Sequence, residues 1–329
     1  MSHLFIKTLR TGIMVLLSLL VLLPVRAQPE DLYHIRWVGE YPGENGGRSQ
    51  SFGDRVSRIV FGQKTREVVK PFNVVATNPE LFWILDQGAG GVFEVNGKQG
   101  VMLRSFKKAG KQFPSMVGIC LLSDRDLLFT DSSLDRVLHI AGDEVLDFCN
   151  TVTLDQPTGI SCNRTTGDIW VVETGAHRIS RFNSKGHLIG RIGGRGTEPG
   201  LFNFPTFIWI DPEGRIYIVD SMNYRIQIMD PEGAFLASFG ESGDATGYMA
   251  RPKGIATDSQ GHIYIADALF HAVQVFDRDG SFLYSFGRQG QETGDFWMPA
   301  GIFIDEEDHI YVADSYNARV QIFQLEKND

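Results

Sequence analysis

The sequence predicts an all-β protein, a six-bladed β-propeller of four-stranded antiparallel blades in which an N-terminal strand closes the last blade. Three observations carry the prediction. An acidic residue recurs at Asp86, Asp131, Glu173, Asp220, Asp267 and Asp314, at intervals of 45, 42, 47, 47 and 47 residues, and a period of about 40–50 residues marks propeller blades. Within each period, apolar residues alternate in short runs that end at Asp, Gly or Pro, which is the pattern of strands. The chain also has 36 Gly against 13 Pro in 329 residues with no triplet period, which suits a fold that turns often.

The first segment reads as an export signal. Lys7 and Arg10 precede the apolar run from Thr11 to Val25, and Val25-Arg26-Ala27 presents small or modest residues where a signal peptidase reads. As a helix the run reaches about 22 Å, short of the roughly 30 Å hydrocarbon core, so cleavage after Ala27 is expected rather than a retained anchor. Cleavage removes Lys7, Arg10 and Arg26 and no acid, taking the net charge from −9 to −12. The mature protein is expected in the periplasm or outside the cell. Its sign disfavours nucleic acid as a partner. Three cysteines (Cys120, Cys149, Cys162) allow at most one internal disulfide in such a compartment. Cys120 and Cys162 fall in apolar strand runs, where buried, inert thiols are the expectation.

Residues 28–70 are assigned to a closing strand and a loop, and residues 71–329 to the propeller. The last copies are clearest: Arg251-Pro252-Lys253-Gly254-Ile255 leads to His262-Ile263-Tyr264-Ile265-Ala266-Asp267, and Pro299-Ala300-Gly301-Ile302 leads to His309-Ile310-Tyr311-Val312-Ala313-Asp314. Pro205 to Asp220 follows the same plan, and copies beginning at Pro157, Pro114 and Pro71 are more divergent. Asp211-Pro212-Glu213-Gly214 and Asp230-Pro231-Glu232-Gly233 are tight-turn tetrapeptides between strands. The sixth copy ends one strand short at Leu325. Either Ile35-Arg36-Trp37-Val38-Gly39 or Arg58-Ile59-Val60-Phe61-Gly62 has the form needed to supply it.

These units resemble NHL repeats, on the run from Pro299 to Gln321 and its weaker copies over residues 71–325. The resemblance implies a six-bladed β-propeller and leaves activity open, since such propellers include lyases, lactone hydrolases, RNA binders and interaction platforms.

Two sets of residues are candidates for chemistry. Arg136, Arg178, Arg225 and Arg319 each follow an acidic marker by five residues, and we expect them to lock the hairpins as carboxylate–guanidinium pairs. The preceding position varies as Gly90, Asp135, His177, Tyr224, His271 and Ala318, as a ligand-facing position would. Six-bladed amidating lyases are similar in placing zinc-ligand histidines on such turns, and Asp267 to His271 resembles their motif. The resemblance implies His177 and His271 as metal ligands with Tyr224 as acid or base, although a three-ligand zinc site needs a third donor. Asp277-Arg278-Asp279-Gly280 superficially suggests calcium but occupies a hairpin position. Asn163-Arg164-Thr165 fits a glycosylation acceptor. There is no nucleophile elbow, His-Glu-x-x-His or phosphate loop.

The long linkers Gly240 to Arg251 and Gly287 to Met298 complete the picture. Phe202, Met249 and Phe296 recur in such linkers at equal spacing and are expected to plug blade interfaces, whereas Trp297 has no such recurrence. The leading expectation is a non-enzymatic, monomeric scaffold binding a protein or extended ligand through Asp135, His177, Tyr224, His271 and Trp297, with no cofactor. The alternative is a zinc- or calcium-dependent lyase or lactone hydrolase at the channel mouth.

Overall fold

The computed structural model describes residues 33–42, 68–97, 100–105, 113–123, 126–142, 144–149 and 151–327. The expected export signal, residues 1–27, and the rival closing segment, residues 58–62, lie outside the described residues. Among those described, no helix is long and apolar enough to cross a membrane.

The turn tetrapeptides do what their composition predicts. In blade 4, Pro205–Ile210, Ile216–Asp220, Arg225–Met229 and Phe235–Phe239 pair antiparallel in chain order. The Gly214 N–H donates to Asp211 C=O with Gly214 at φ 85°, a left-handed value that a Cβ would strain. The other blades repeat this meander. Blade 1 runs Pro71–Asn78, Leu81–Asp86, Gly91–Asn96 and Gly100–Ser105; blade 2, Met116–Leu121, Leu127–Asp131, Arg136–Ala141 and Glu144–Asp147. Blade 3 runs Pro157–Cys162, Ile169–Glu173, Arg178–Phe182 and Leu188–Gly193; blade 5, Pro252–Thr257, Ile263–Asp267, Ala272–Phe276 and Phe282–Phe286. Blade 6 has Pro299–Ile304, His309–Asp314 and Arg319–Lys327 from the end of the chain. Its fourth strand is Tyr33–Tyr41, paired antiparallel with Arg319–Lys327 from Tyr33↔Lys327 to Tyr41↔Val320. Of the two candidates for closing the ring, the structure selects the one containing Ile35 to Gly39.

The first strand of each blade lines the central channel. Antiparallel pairing puts two kinds of connection at one end of the ring, here the loop end: the linkers between blades and the turns between second and third strands. The turns joining first to second strands gather at the opposite, turn end. Neighbouring first strands approach so closely that a Cβ on Gly118 would lie 2.3 Å from Thr158 O, and one on Gly254 would lie 2.5 Å from Ile302 N. That is why glycine holds the third position in four of the six first strands. Blades 1 and 4 carry Asn73 and Phe207 at this position instead. Phe207 stacks on Phe72 of the opposite blade, with centroids 6.1 Å apart and planes at 29°, and the pair bridges the channel.

Phe202, Met249 and Phe296 are fully buried, each in a bridge within its linker, as their spacing predicts. The cysteines depart from expectation. Cys120 and Cys162 form a disulfide between the first strands of blades 2 and 3, and Cys149 is the buried free thiol. Their separation of 42 equals the interval between the acidic markers of those blades, so they occupy matching places on adjacent walls. That coincidence was the available sequence signal.

Deleting residues 28–42 is expected to leave Arg319–Lys327 an unpaired edge and uncover the packing of Ile35 against Phe323 and its neighbours. Denaturant unfolding should lose cooperativity or shift to a clearly lower midpoint. A melt matching that of the mature chain would show that this strand does not close the ring.

Candidate functional site at the loop end

All six acidic markers are fully buried, so each carboxylate must be met by donors. Asp86 accepts from the backbone N–H of Val69, Lys70 and Ala89, and Asp131 from Ser115, Ser133 and Leu134. Asp267 accepts from Ala250, Arg251, Leu269 and Phe270. In every blade the partners include the linker that enters that blade, through Asp155, Asn203 and Trp297 in the remaining three.

Three of the four predicted Arg locks are present. Arg178 pairs with Glu173 at 2.8 Å, Arg225 with Asp220 at 2.8 Å, and Arg319 with Asp314 at 2.9 Å. Arg136 is the exception. Although its backbone faces Asp131, its guanidinium pairs with the exposed Asp147 on the outermost strand, because three backbone N–H groups already satisfy Asp131. Burial raises the pKa of Glu173, yet Arg178 and the Ser180 hydroxyl overcome it and hold the carboxyl below its ordinary value. For Asp314 burial prevails over the Trp297 N–H, Asn317 and Arg319, and the net shift is upward. Arg319 also holds Glu40 of the closing strand at 2.9 Å.

The variable position before each Arg has one backbone requirement. Gly90, Asp135, His177, Tyr224, His271 and Ala318 all adopt φ between 53° and 66°, the left-handed turn conformation. Three of these side chains accept a hydrogen bond from the next linker. Asp135 Oδ1 takes the Gln156 N–H at 2.8 Å, His177 Nδ1 that of Phe204 at 3.0 Å, and His271 Nδ1 that of Met298 at 3.0 Å. Gln156, Phe204 and Met298 are themselves left-handed and each precedes the proline that opens a blade. Each imidazole thus carries its proton on Nε2 when neutral, and a metal at His177 or His271 would have to displace that proton. Tyr224 is half-buried beside the Met249 cluster. Trp297 stacks on Tyr316 with centroids 6.1 Å apart and planes at 29°. All five candidates lie at the loop end, and the structure brings His177 and His271 to separate blade junctions.

The turn end carries a different network that the sequence reading missed. Asp305, Glu307 and His309 place ligand-type atoms within 4.8 Å of one another. The Asp305 carboxylate, however, already accepts from the Tyr311 hydroxyl, the His309 imidazole and the Glu307 and His309 N–H groups. The same arrangement recurs as Asp258, His262 and Tyr264, and as Asp211, Arg215 and Tyr217. Because Arg replaces His in blade 4, the trio is a turn staple. Asp277 likewise spends its carboxylate on the Asp279 and Ser281 N–H groups of its hairpin.

Lys253 is a second residue that sequence reasoning passed over. It occupies the second position of a first strand, where other blades have Phe72, Val117, Thr158, Thr206 and Ala300. Burial, and then the nearby Arg251 charge, lower its pKa to about 8. That it alone is ionisable at this position was the signal.

Two predictions follow from these geometries. Arg225→Ala should cost roughly 1–3 kcal/mol in denaturant melts by leaving the Asp220 carboxylate short of a donor, with Arg136→Ala within about 0.5 kcal/mol of the parent. Equal midpoints for all three proteins would remove the lock. For Lys253 the folded pKa lies below the unfolded value of about 10.4. The native state therefore releases its proton first, and this lysine's contribution to stability should rise with pH between about 8 and 10.4. Lys253→Met should be more stable than the parent near pH 7, with the difference shrinking by pH 10; a constant difference in urea melts would contradict the burial.

Comparison with known proteins agrees on architecture. No curated protein matches the chain. Residues 253–329 match the family DUF5128, described as a 6-bladed beta-propeller. Among solved structures, the chain is similar to an auxiliary nutrient binding protein from Bacteroides thetaiotaomicron (12% identity, TM-score 0.63, 79% of this chain and 70% of that one). It is also similar to a gluconolactonase from Xanthomonas campestris (14%, 0.61, 79% and 88%) and to virginiamycin B lyase from Staphylococcus aureus (14%, 0.57, 79% and 96%). At these identities the likeness is one of fold, and the chain is a six-bladed β-propeller.

Proposed function

We propose that the protein is an exported, non-enzymatic NHL-type scaffold, a monomeric propeller that docks a protein partner on its loop end. The supporting observation is where its exposed apolar side chains lie. Leu134, Met222, Leu269 and Tyr316 crown the turns of blades 2, 4, 5 and 6, and Val69, Phe204, Tyr248 and Trp297 stand on the linkers beside them, all between 38% and 59% exposed. The other large exposed apolar side chains among the described residues lie on outermost strands. Apolar side chains gathered on one face of a rigid ring mark a protein-binding surface. The stacked Trp297–Tyr316 pair is the kind of aromatic anchor that dominates such interfaces. His177 and His271 serve this reading by fixing the linkers that carry Phe204 and Trp297, and Asp135 fixes the linker into blade 3 through Gln156. A nutrient binding protein among the similar structures is compatible with a binding role, and the lyase and lactonase neighbours define the enzymatic alternative.

A photo-cross-linking residue placed at position 316 should capture one identifiable partner in the exported compartment. The same residue at position 236, on an outermost strand, should not. Leu269→Asp combined with Met222→Asp, both exposed loop-end positions, should abolish capture from position 316 without moving the unfolding midpoint. Equal capture from both positions would overturn the docking face. Stoichiometric zinc in untagged protein, lost on changing both His177 and His271, would favour the lyase or hydrolase instead.

A further inference from the structure

At the end opposite the docking face, the central channel widens into a cavity of about 650 Å³, a volume typical of small-ligand sites. Phe207, held by its stack on Phe72, closes it from below. One wall is aromatic. The Trp209 indole N–H donates to Thr257 Oγ1 at 2.9 Å, and its ring meets Phe303 edge-on at 5.4 Å, which fixes two partly exposed rings against the cavity. The Cys120–Cys162 disulfide belongs to the facing wall.

The mouth is acidic, and its charges are not equally committed. Asp211, Asp258 and Asp305 are tied into the turn staples, and Asp308 accepts both the N–H and the hydroxyl of Ser259. Glu306 and Glu307 have no such duty in these networks, and Arg164 is the one Lys or Arg among the described lining residues. Arg164 rises from blade 3 and reaches across the opening to Glu306 of blade 6, three blades away, with Nη1 and Oε1 3.5 Å apart. Both side chains are largely exposed, at 50% and 87%, so the pair contributes little and separates easily. The Arg164 guanidinium, on its aliphatic stem, sits where an incoming cation would sit. A neutral guest gains nothing from this rim, and an anion meets its excess of negative charge.

We propose that this cavity binds an organic cation, a guanidinium or ammonium group carried on an apolar or aromatic frame. The charged head displaces Arg164 from Glu306 and engages the Glu306 and Glu307 carboxylates, while the frame packs on Trp209 and Phe303. The site is independent of the loop-end docking surface and stands or falls separately from it.

The test uses the mature chain and a pair of nearly isosteric probes, Nα-acetyl-arginine 2-naphthylamide and Nα-acetyl-citrulline 2-naphthylamide, titrated by calorimetry. The arginine probe should bind at least about tenfold tighter, the order of one well-placed charge interaction. Glu306→Gln with Glu307→Gln, both at exposed positions, should erase that preference without changing the melt. Arg164→Ala should tighten the arginine probe by up to about fivefold by removing the internal competitor. Equal affinity for the two probes, a preference that survives the double Gln variant, or no binding of the arginine probe to either the parent or Arg164→Ala would overturn the proposal.

Discussion

The ring depends on six buried carboxylates, one at the end of each second strand. A carboxylate out of water is tolerated only when charged or polar donors surround it, and here part of that demand is always met by the linker arriving from the previous blade. The acid therefore does more than cap its own hairpin. It fixes where the next first strand begins, and so the angle at which each blade meets its neighbour. The remaining donors are interchangeable: guanidinium groups in blades 3, 4 and 6, and backbone N–H groups in blades 1, 2 and 5. Blade 5, with Ala272 where others have Arg, shows that the requirement is for donors and not for a cation.

The same logic bears on the position that looked most like a site. Its side chains vary because the backbone asks only for a left-handed residue, and residues as different as Gly90, Asp135 and His271 supply it. Asp135, His177 and His271 close their blade junctions by taking an N–H that the acidic marker leaves free. Variation within a repeat thus marks a position with a single backbone constraint, which is compatible with ligand contact without requiring it.

Most of the architecture was legible because it repeats. Strand order, hairpin turns, the plugs at Phe202, Met249 and Phe296, and three of four Arg locks all follow from residues recurring at fixed spacing. What escaped was whatever depends on two different copies meeting. Cys120 and Cys162 bond because neighbouring first strands run side by side, and Phe72 meets Phe207 because blades 1 and 4 are opposite. Arg136 leaves its predicted partner for Asp147 because backbone donors had already filled Asp131. The Asp–His–Tyr staples recur openly in the last copies, yet their meaning lies in the carboxylate that joins them, and spacing alone does not show a hydrogen bond.

The two ends of the ring divide according to what the strands leave there. The loop end receives long linkers whose inner residues are consumed as plugs, so their remaining apolar side chains have nowhere to go but outward. The turn end receives only tight turns, whose Asp and Asn residues accept from their own backbone and cannot cover the channel. The apolar rim and the acidic, aromatic-walled opening, proposed here as docking surface and cation site, are thus consequences of one alternation, long connection against short, carried round a closed ring. Glycine at the third position of most first strands draws the channel tight, and the two blades that lack it place Phe207 and Asn73 there. The departure of blade 4 from its own repeat is therefore what separates the two ends, since the Phe207–Phe72 stack divides a through-channel into a closed core and an open cavity.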